Sequence, residues 1–566
     1  MLIYDGQCGF CMIWIRYWQR LTGDKIEYRP SQECRQEYPE IPEREFSRSV
    51  QLVTPEGEVL SGAWAVFTTL KDVPGKGWML WAYEHVPGVE SLTETGYGIV
   101  AANRGFFYHA TRLLFGREIV PLTYQNVQWL FLKLLAVIYL IAFLSFGSQA
   151  MGLIGSKGIL PAESLLWWKA SDEAIRATWM TGALVSLVLM TGYFRRVCLA
   201  VLYLSYLSLS AAGQEFMSFQ WDALLLESGF LAMFLGDSVI TVWLFRWLAF
   251  RLMFLSGAVK LLSRDETWRN LTALQYHYMT QPLPNPVAWY AYQLPVWFQR
   301  ASTAATLFTE LVMPFLIFTP RRTRYIGAGV LVGLQVLILL TGNYTFFNLL
   351  AISLCLFLLD DGCVRLPFTV RPMRGPVRWL LAPCAVVLAI AGGLVIWERT
   401  VGESPATALA EPFERYQVVN GYGLFAVMTT SRLEILIQGS DDGETWRDYE
   451  FKYKPGDLRR APPWVAPLQP RLDWQMWFAA LGSYRSSPWI ISLLYRLLEG
   501  ATPVAELLER NPFPDRPPKY VRALASRYDF TDFAERRRNG NWWKREPPLI
   551  YVRAITRENF ARHPGQ

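Results

Sequence analysis

The sequence predicts a multi-pass α-helical membrane protein with an α/β domain before the membrane helices and an α+β domain after them. Three observations predict it. Hydrophobic residues make up 52% of the 566 and charged residues only 18%, a balance that points to buried or lipid-facing helices. Apolar runs of spanning length crowd into residues 119–400, while both flanks read in shorter periods. Arginines recur in alternate connections between those runs. The net charge of +7 is modest, and no basic tract with interleaved aromatics resembles a nucleic-acid module.

Residues 1–118 form the first domain. Leu2-Ile3-Tyr4 reads as a strand, and Met12 to Leu21 is apolar at helical spacing. Ser49 to Thr54 and Glu58 to Leu60 flank Pro55-Glu56-Gly57, a hairpin signal, and Ala63 to Leu70 reads as another helix. Between the first strand and the first helix stands Cys8-Gly9-Phe10-Cys11. A redox dithiol needs that place. The helix N-terminus favours a thiolate at Cys8, and Cys11, one turn on, resolves a mixed disulfide. A zinc knuckle wants a second cysteine pair, and none is nearby, so no metal is expected. Cys34 reads as a buried structural thiol. The remaining cysteines are 198, 355, 363 and 384, so the C-terminal domain holds none. That usage excludes a disulfide-rich secreted scaffold. No signal-peptide pattern opens the chain, and the first span is expected to serve as the targeting signal.

The membrane domain, residues 119–400, holds about nine apolar runs that meet or approach the ~20-residue span requirement. They are 126–147, 177–193, 197–212, 219–236, 240–262, 304–318, 325–340, 346–359 and 379–397. Arg104, Arg112 and Arg117 precede the first run. Arg195 and Arg196, then Arg321, Arg322 and Arg324, then Arg365, Arg371, Arg374 and Arg378 fill alternate connections. All four groups share one side if the N-terminus is cytoplasmic. The long connection 271–295 and everything after residue 400 then face outward. Asn270 and Asn343 stand in glycosylation sequons on that outer side, a weak pattern.

Charges inside the runs are costly, so they are paired or functional. Asp222 and Glu227 lie in one run, about 140° apart round a helix. Arg246, Arg251 and Lys260 lie in the next, and Glu310 sits in a later one. They either pair within the bundle and fix its register, or they line a polar cavity that binds a head group or substrate. His277 and Trp289 fall in the aromatic, proline-rich connection 271–295, where a binding surface is expected. With four histidines in the chain, no histidine-based metal cluster is available, and His277 beside Tyr276 and Tyr278 reads more readily as a hydrogen-bonded structural residue than as a base.

Residues 401–566 read as a compact α+β domain. Arg432 to Ile437 and Trp446 to Tyr453 flank Asp442-Gly443, a hairpin turn. Trp489 to Leu498 and Val504 to Glu509 read as helices, and Tyr520 to Phe530 and Leu549 to Ile555 as strands.

Two resemblances add to this reading. Tyr4-Asp5-Gly6-Gln7-Cys8-Gly9-Phe10-Cys11, with Gly57 to Ala65 downstream, resembles the DCC family of thiol-disulfide oxidoreductases and implies a thioredoxin-like fold with Cys8 and Cys11 catalytic. Trp64 stands where that family usually has an acidic residue. Across roughly residues 125–560, several blocks resemble the lipase maturation factor family. They include Phe219 to Phe230, Ser256 to Ser263, Tyr276 to Pro284, Thr341 to Asn348, Tyr422 to Met428, Gly439 to Trp446 and Gln469 to Trp477.

The second resemblance implies a membrane-embedded factor that helps exported proteins such as lipases fold and assemble. Its partners would be the bilayer, a client protein and a redox partner for the dithiol. No cofactor is required beyond the Cys8/Cys11 disulfide, and any enzymatic activity is expected there. Asp222, Glu227, Lys260, His277, Trp289 and Glu310 are the candidate binding residues. The expected location is the bacterial inner membrane, or the endoplasmic reticulum membrane in a eukaryote, with the N-terminus cytoplasmic. The alternative is a membrane redox enzyme holding a quinone-like, lipid-soluble cofactor, since the membrane part is also distantly similar to vitamin-K-dependent carboxylase membrane domains. A transporter is disfavoured, because no half of the chain repeats.

Overall fold

The computed structural model describes residues 1–166, 168–376 and 378–558. Residues 1–123, with 318–326, form one compact unit, and the rest of the chain forms a second.

The first unit is built on a four-stranded mixed sheet in the order Tyr28–Pro30, Leu2–Tyr4, Gln51–Val53, Val59–Ser61. The first two strands are parallel, with Leu2 opposite Tyr28. A parallel pair needs a crossover, and the helix Gly9–Thr22 supplies it. The other pairings are antiparallel, and the hairpin turns at Gly57, whose φ of +85° suits glycine. Leu2, Tyr4, Ile15, Leu52, Leu60 and Ala65 close one core of this unit. The helices Gly62–Leu70, Trp78–His85, Val89–Ala102 and Arg104–Leu114 complete it.

All nine apolar runs are helical. Six are long and apolar enough to cross a membrane among the described residues: Gln125–Gly147, Asp172–Thr191, Val239–Leu262, Val296–Phe318, Arg321–Thr341 and Trp379–Thr400. The other three are Arg195–Ala212, Gln220–Ala232 and Phe347–Leu358. Gln220–Ala232 and Phe347–Cys355 are buried almost all round, so they need neither the length nor the apolarity of a lipid-facing helix.

The polar contacts sort the helix ends of the second unit into two groups. At one end, the backbone N–H groups of Gln125, Asn126 and Val127 donate to the Asp361 carboxylate at 2.8, 2.9 and 3.2 Å. A carboxylate there satisfies donors that the helix leaves unpaired. The Gln128 amide donates to Gly236 O, Arg195 to Leu235 O, and Arg196 to Arg374 O. At the opposite ends of the same helices lies the C-terminal domain. Ser145 Oγ accepts from Gln469 N, Ser263 Oγ donates to Ala426 O, and Asp265 accepts from Met428 N. Asn343 is buried and bonds Val465, Ala466 and Pro463 of that domain, which closes its sequon to a glycan.

The C-terminal domain is an antiparallel sheet in the order Trp543–Arg545, Tyr520–Phe530, Arg432–Ser440, Arg447–Phe451, Leu508–Arg510, with Leu549–Ile555 also pairing Tyr520–Phe530. The helices Arg471–Ala480 and Trp489–Glu499 cover it. Asp442 Oδ1 accepts from the N–H groups of Glu444 and Thr445, fixing the predicted hairpin turn. The helix predicted over 504–509 is instead the short helix Thr502–Ala505 followed by the strand Leu508–Arg510. Pairing of Leu508 with Phe451 overrides local helix propensity there.

The predicted long connection 271–295 is not an open loop. It folds into the helices Ala273–Thr280 and Pro286–Tyr292, and the C-terminal domain covers much of it. Arg432, itself fully buried, donates to Met279 O and Pro282 O, and the Trp477 indole N–H donates to Thr280 O.

Candidate functional site

Three constellations carry chemistry. The first is the dithiol. Cys8 caps the helix Gly9–Thr22, and its sulfur accepts the Cys11 N–H at 3.2 Å. The two Sγ atoms lie 2.6 Å apart. Burial pushes the Cys11 thiol up to about 12, with the hydrogen bond to Cys8 adding to it. The pair is therefore asymmetric: Cys8 sits at the helix terminus, and Cys11 is held as the protonated partner. A groove of about 340 Å³ runs beside Cys11, walled by Phe10, Trp14, Trp18, Phe67 and Tyr97, with Asp5 and Arg104 among its polar residues. Cys34 is buried with Ile3, Ile41 and Phe46, behind the Phe46 that lines the groove, and does not line it itself. Beside Trp64, Glu94 from a neighbouring helix accepts the N–H groups of Ala63 and Trp64 at 3.2 and 3.0 Å.

The second constellation is a pair of buried carboxylates. Asp222 is met by Arg471, whose Nη1 and Nη2 donate to the two carboxylate oxygens at 2.9 Å each. The Tyr206 hydroxyl also donates to Asp222, and Arg471 further donates to Phe216 O at 2.6 Å. Glu227 bonds Arg251 through one oxygen. Its other oxygen accepts from Asn420 N at 3.0 Å, the Asn420 amide at 3.1 Å and the Tyr422 hydroxyl at 2.8 Å. Both carboxylates are at most 1% exposed. Such charges persist in an apolar interior only when paired and hydrogen-bonded, as here. Asp222 and Glu227 thus hold segments of the chain beyond residue 400 against the membrane helices, and neither is among the residues lining the cavity described next.

The third is a cavity of about 710 Å³ among the helices. On its wall the Lys260 ammonium donates to both oxygens of Glu310 at 2.7 and 2.5 Å and lies 5.1 Å from the Trp268 ring centre. Gly257 lets the two helices approach: a Cβ there would come within 2.9 Å of the Glu310 Cβ. His277 Nε2 bonds the Tyr344 hydroxyl at 3.1 Å, and the imidazole stands edge-on to Phe425. Burial pushes His277 down to about 4, with the Lys260 ammonium adding to the effect, so the ring is neutral near neutral pH. The other wall is apolar, with Leu252, Leu294, Phe298, Leu334 and Ile338 among its residues.

The structure therefore brings Lys260, His277 and Glu310 to one cavity and sends Asp222 and Glu227 to another interface. Trp289 goes to a third place, fully buried against Trp542 and Phe533, with the Arg536 guanidinium 4.8 Å from its ring centre. Sequence reasoning missed Arg471, Asn420, Tyr422 and Tyr344. Their signal was faint: Arg471, Asn420 and Tyr422 partner carboxylates on Gln220–Ala232, Tyr344 partners His277 in the connection 271–295, each far away in sequence, and none breaks an apolar run.

Comparison with known proteins covers all three regions. Residues 126–366 match the lipase maturation factor transmembrane domain, residues 418–552 the lipase maturation factor C-terminal domain, and residues 2–110 the DCC1-like thiol-disulfide oxidoreductase. The chain is 36% identical to lipase maturation factor 2 of Xenopus tropicalis, over 73% of this chain and 80% of that protein. It is 35% identical to human lipase maturation factor 2, over 74% and 81%. To lipase maturation factor 1 of Bos taurus it is 35% identical, over 77% and 90%. No solved structure matches this chain.

Proposed function

Since the chain belongs to the lipase maturation factor family, we propose that it is a membrane-embedded factor for the folding and assembly of exported proteins such as lipases, carrying its own thiol-disulfide module. The observation that carries this reading is that the family match spans both partners of the Asp222–Arg471 and Glu227–Asn420–Tyr422 interfaces, so the two matched regions act as one body. In the attached module, a Cys8 thiolate attacks a disulfide sulfur of the redox partner, forming a mixed disulfide and releasing one partner thiolate. Cys11 then gives up its proton and attacks the Cys8 sulfur, which releases the second thiolate and leaves Cys8–Cys11 oxidised.

The test is co-production of a secreted lipase with this chain, reading lipase activity per unit of secreted lipase. The intact chain raises that ratio, and removal of residues 411–566 abolishes the gain. An unchanged ratio with the intact chain overturns the reading. Within the same experiment, Cys11→Ser accumulates dithiothreitol-sensitive adducts on Cys8, whereas Cys8→Ser forms none. Full redox activity in Cys8→Ser would remove the dithiol from the mechanism and with it the rival reading of a dithiol-driven membrane enzyme.

The proposed orientation puts the N-terminal domain in the cytoplasm and the C-terminal domain across the membrane, in the inner membrane of a bacterium. It is supported by the arginine groups of alternate connections, of which Arg195, Arg196 and Arg374 gather at the helix ends opposite the C-terminal domain. A cysteine at the exposed Glu444 position (Glu444→Cys) is expected to react with a membrane-impermeant maleimide applied from outside, while Cys8 reacts only after permeabilisation. Equal labelling of both from outside would reverse this placement. On this orientation the client and the dithiol lie on opposite sides, so the module serves a cytoplasmic partner or a carrier that crosses the bilayer.

A further inference from the structure

We propose that the cavity bounded by Lys260, His277 and Glu310 binds a membrane lipid with a long apolar chain and an uncharged, hydrogen-bonding head group. This goes beyond the maturation reading and does not depend on it. The cavity, at about 710 Å³, is far larger than the voids of a packed interior and falls within the range of ligand pockets.

Its position names the source of the ligand. Leu294 and Phe298 on one side, and Gly333 and Leu337 on the other, line the cavity and are also exposed on the outside of the helix bundle. They belong to or adjoin Val296–Phe318 and Arg321–Thr341, two helices long and apolar enough to cross a membrane. The mouth therefore opens sideways, into the hydrocarbon region, and admits what is dissolved there.

The inner wall names the head group. Lys260 and Glu310 are both buried and neutralise each other, with both carboxylate oxygens engaged. No net charge is left to compensate an ionic head, and burying one unpaired is costly. What remains is hydrogen-bonding capacity. His277 uses Nε2 on Tyr344, while its Nδ1 has no protein partner among the described residues, and the same is true of the Tyr278 hydroxyl. Two such groups side by side read a hydroxyl or a carbonyl. A diacylglycerol and an isoprenoid alcohol or quinone share this chemistry.

Gly333 gives the test. A Cβ there meets nothing within 4 Å, so the Gly333→Trp side chain starts from open space at the mouth and is bulky enough to obstruct it. Gly329, on the same helix, also has open space around it but lies off the cavity, so Gly329→Trp is the control. The intact full-length protein in lipid nanodiscs is irradiated with a diazirine-tagged diacylglycerol, and labelled peptides are mapped. Labelling of the cavity walls is expected to fall about tenfold or more in Gly333→Trp and to persist in Gly329→Trp. Unlabelled diacylglycerol and an unlabelled isoprenoid alcohol are then added as competitors, and the better one identifies the source. Equal labelling in Gly333→Trp, or competition by phosphatidic acid ahead of both neutral lipids, overturns the proposal. A melting temperature matching the parent protein certifies that Gly333→Trp is folded.

Discussion

Arg471→Ala is expected to destabilise the second unit by about 3–5 kcal/mol, because it leaves the Asp222 carboxylate buried without its cation. Arg471 is 1% exposed and is sandwiched between Phe146 and Phe219, so water does not replace the lost guanidinium. The readout is thermal unfolding in detergent, together with trypsin cleavage of the C-terminal domain, which becomes fast. Arg471→Lys keeps the charge but loses the two-pronged bond, and falls between parent and alanine variant. Pairing Arg471→Met with Asp222→Leu removes both charges, and recovers most of the stability if the pair acts mainly through compensation. A single Arg471→Ala variant as stable as the parent would show that the interface rests on packing alone.

Glu310→Ala carries the second large effect. It strands the Lys260 ammonium on the wall of the cavity, at a comparable cost of about 3–5 kcal/mol. Lys260→Met with Glu310→Leu swaps the pair for apolar side chains of similar bulk, and is expected to return to within about 1 kcal/mol of the parent. The double variant therefore separates fold from function. With stability restored, a loss of lipase maturation or of lipid labelling assigns the pair a role in the cavity beyond holding the helices in register. Retention of both activities assigns it to register alone.

Much of the fold was legible because membrane helices write themselves in long apolar runs, and all nine such runs are helices. Which of them fully span was less legible. Gln220–Ala232 is surrounded by protein, and there hydropathy no longer reports on lipid. The dithiol was readable from four residues, since a strand, a turn and a helix start are local features. The carboxylates in the apolar runs announced that partners must exist, but not which. Asp222 finds its cation 249 residues away, at the start of the buried helix Arg471–Ala480 of the C-terminal domain. The segment 271–295 looked like an exposed loop because prolines and aromatics break its period, and only the sheet that lies over it explains Trp289 and the carbonyls held by Arg432.

The order of synthesis gives the Asp222 and Glu227 contacts another meaning. A ribosome makes both acids, which share the helix Gln220–Ala232, about 190 to 250 residues before their partners Asn420, Tyr422 and Arg471, so a nascent chain first carries one helix with two acids whose later partners do not yet exist. Arg251 arrives early for Glu227, whereas Asp222 waits almost until the end. Truncated translation products thus carry an exposed mark of incompleteness within the bilayer, and surveillance proteases that sense polar groups among lipid tails have a chemical basis for telling finished molecules from fragments.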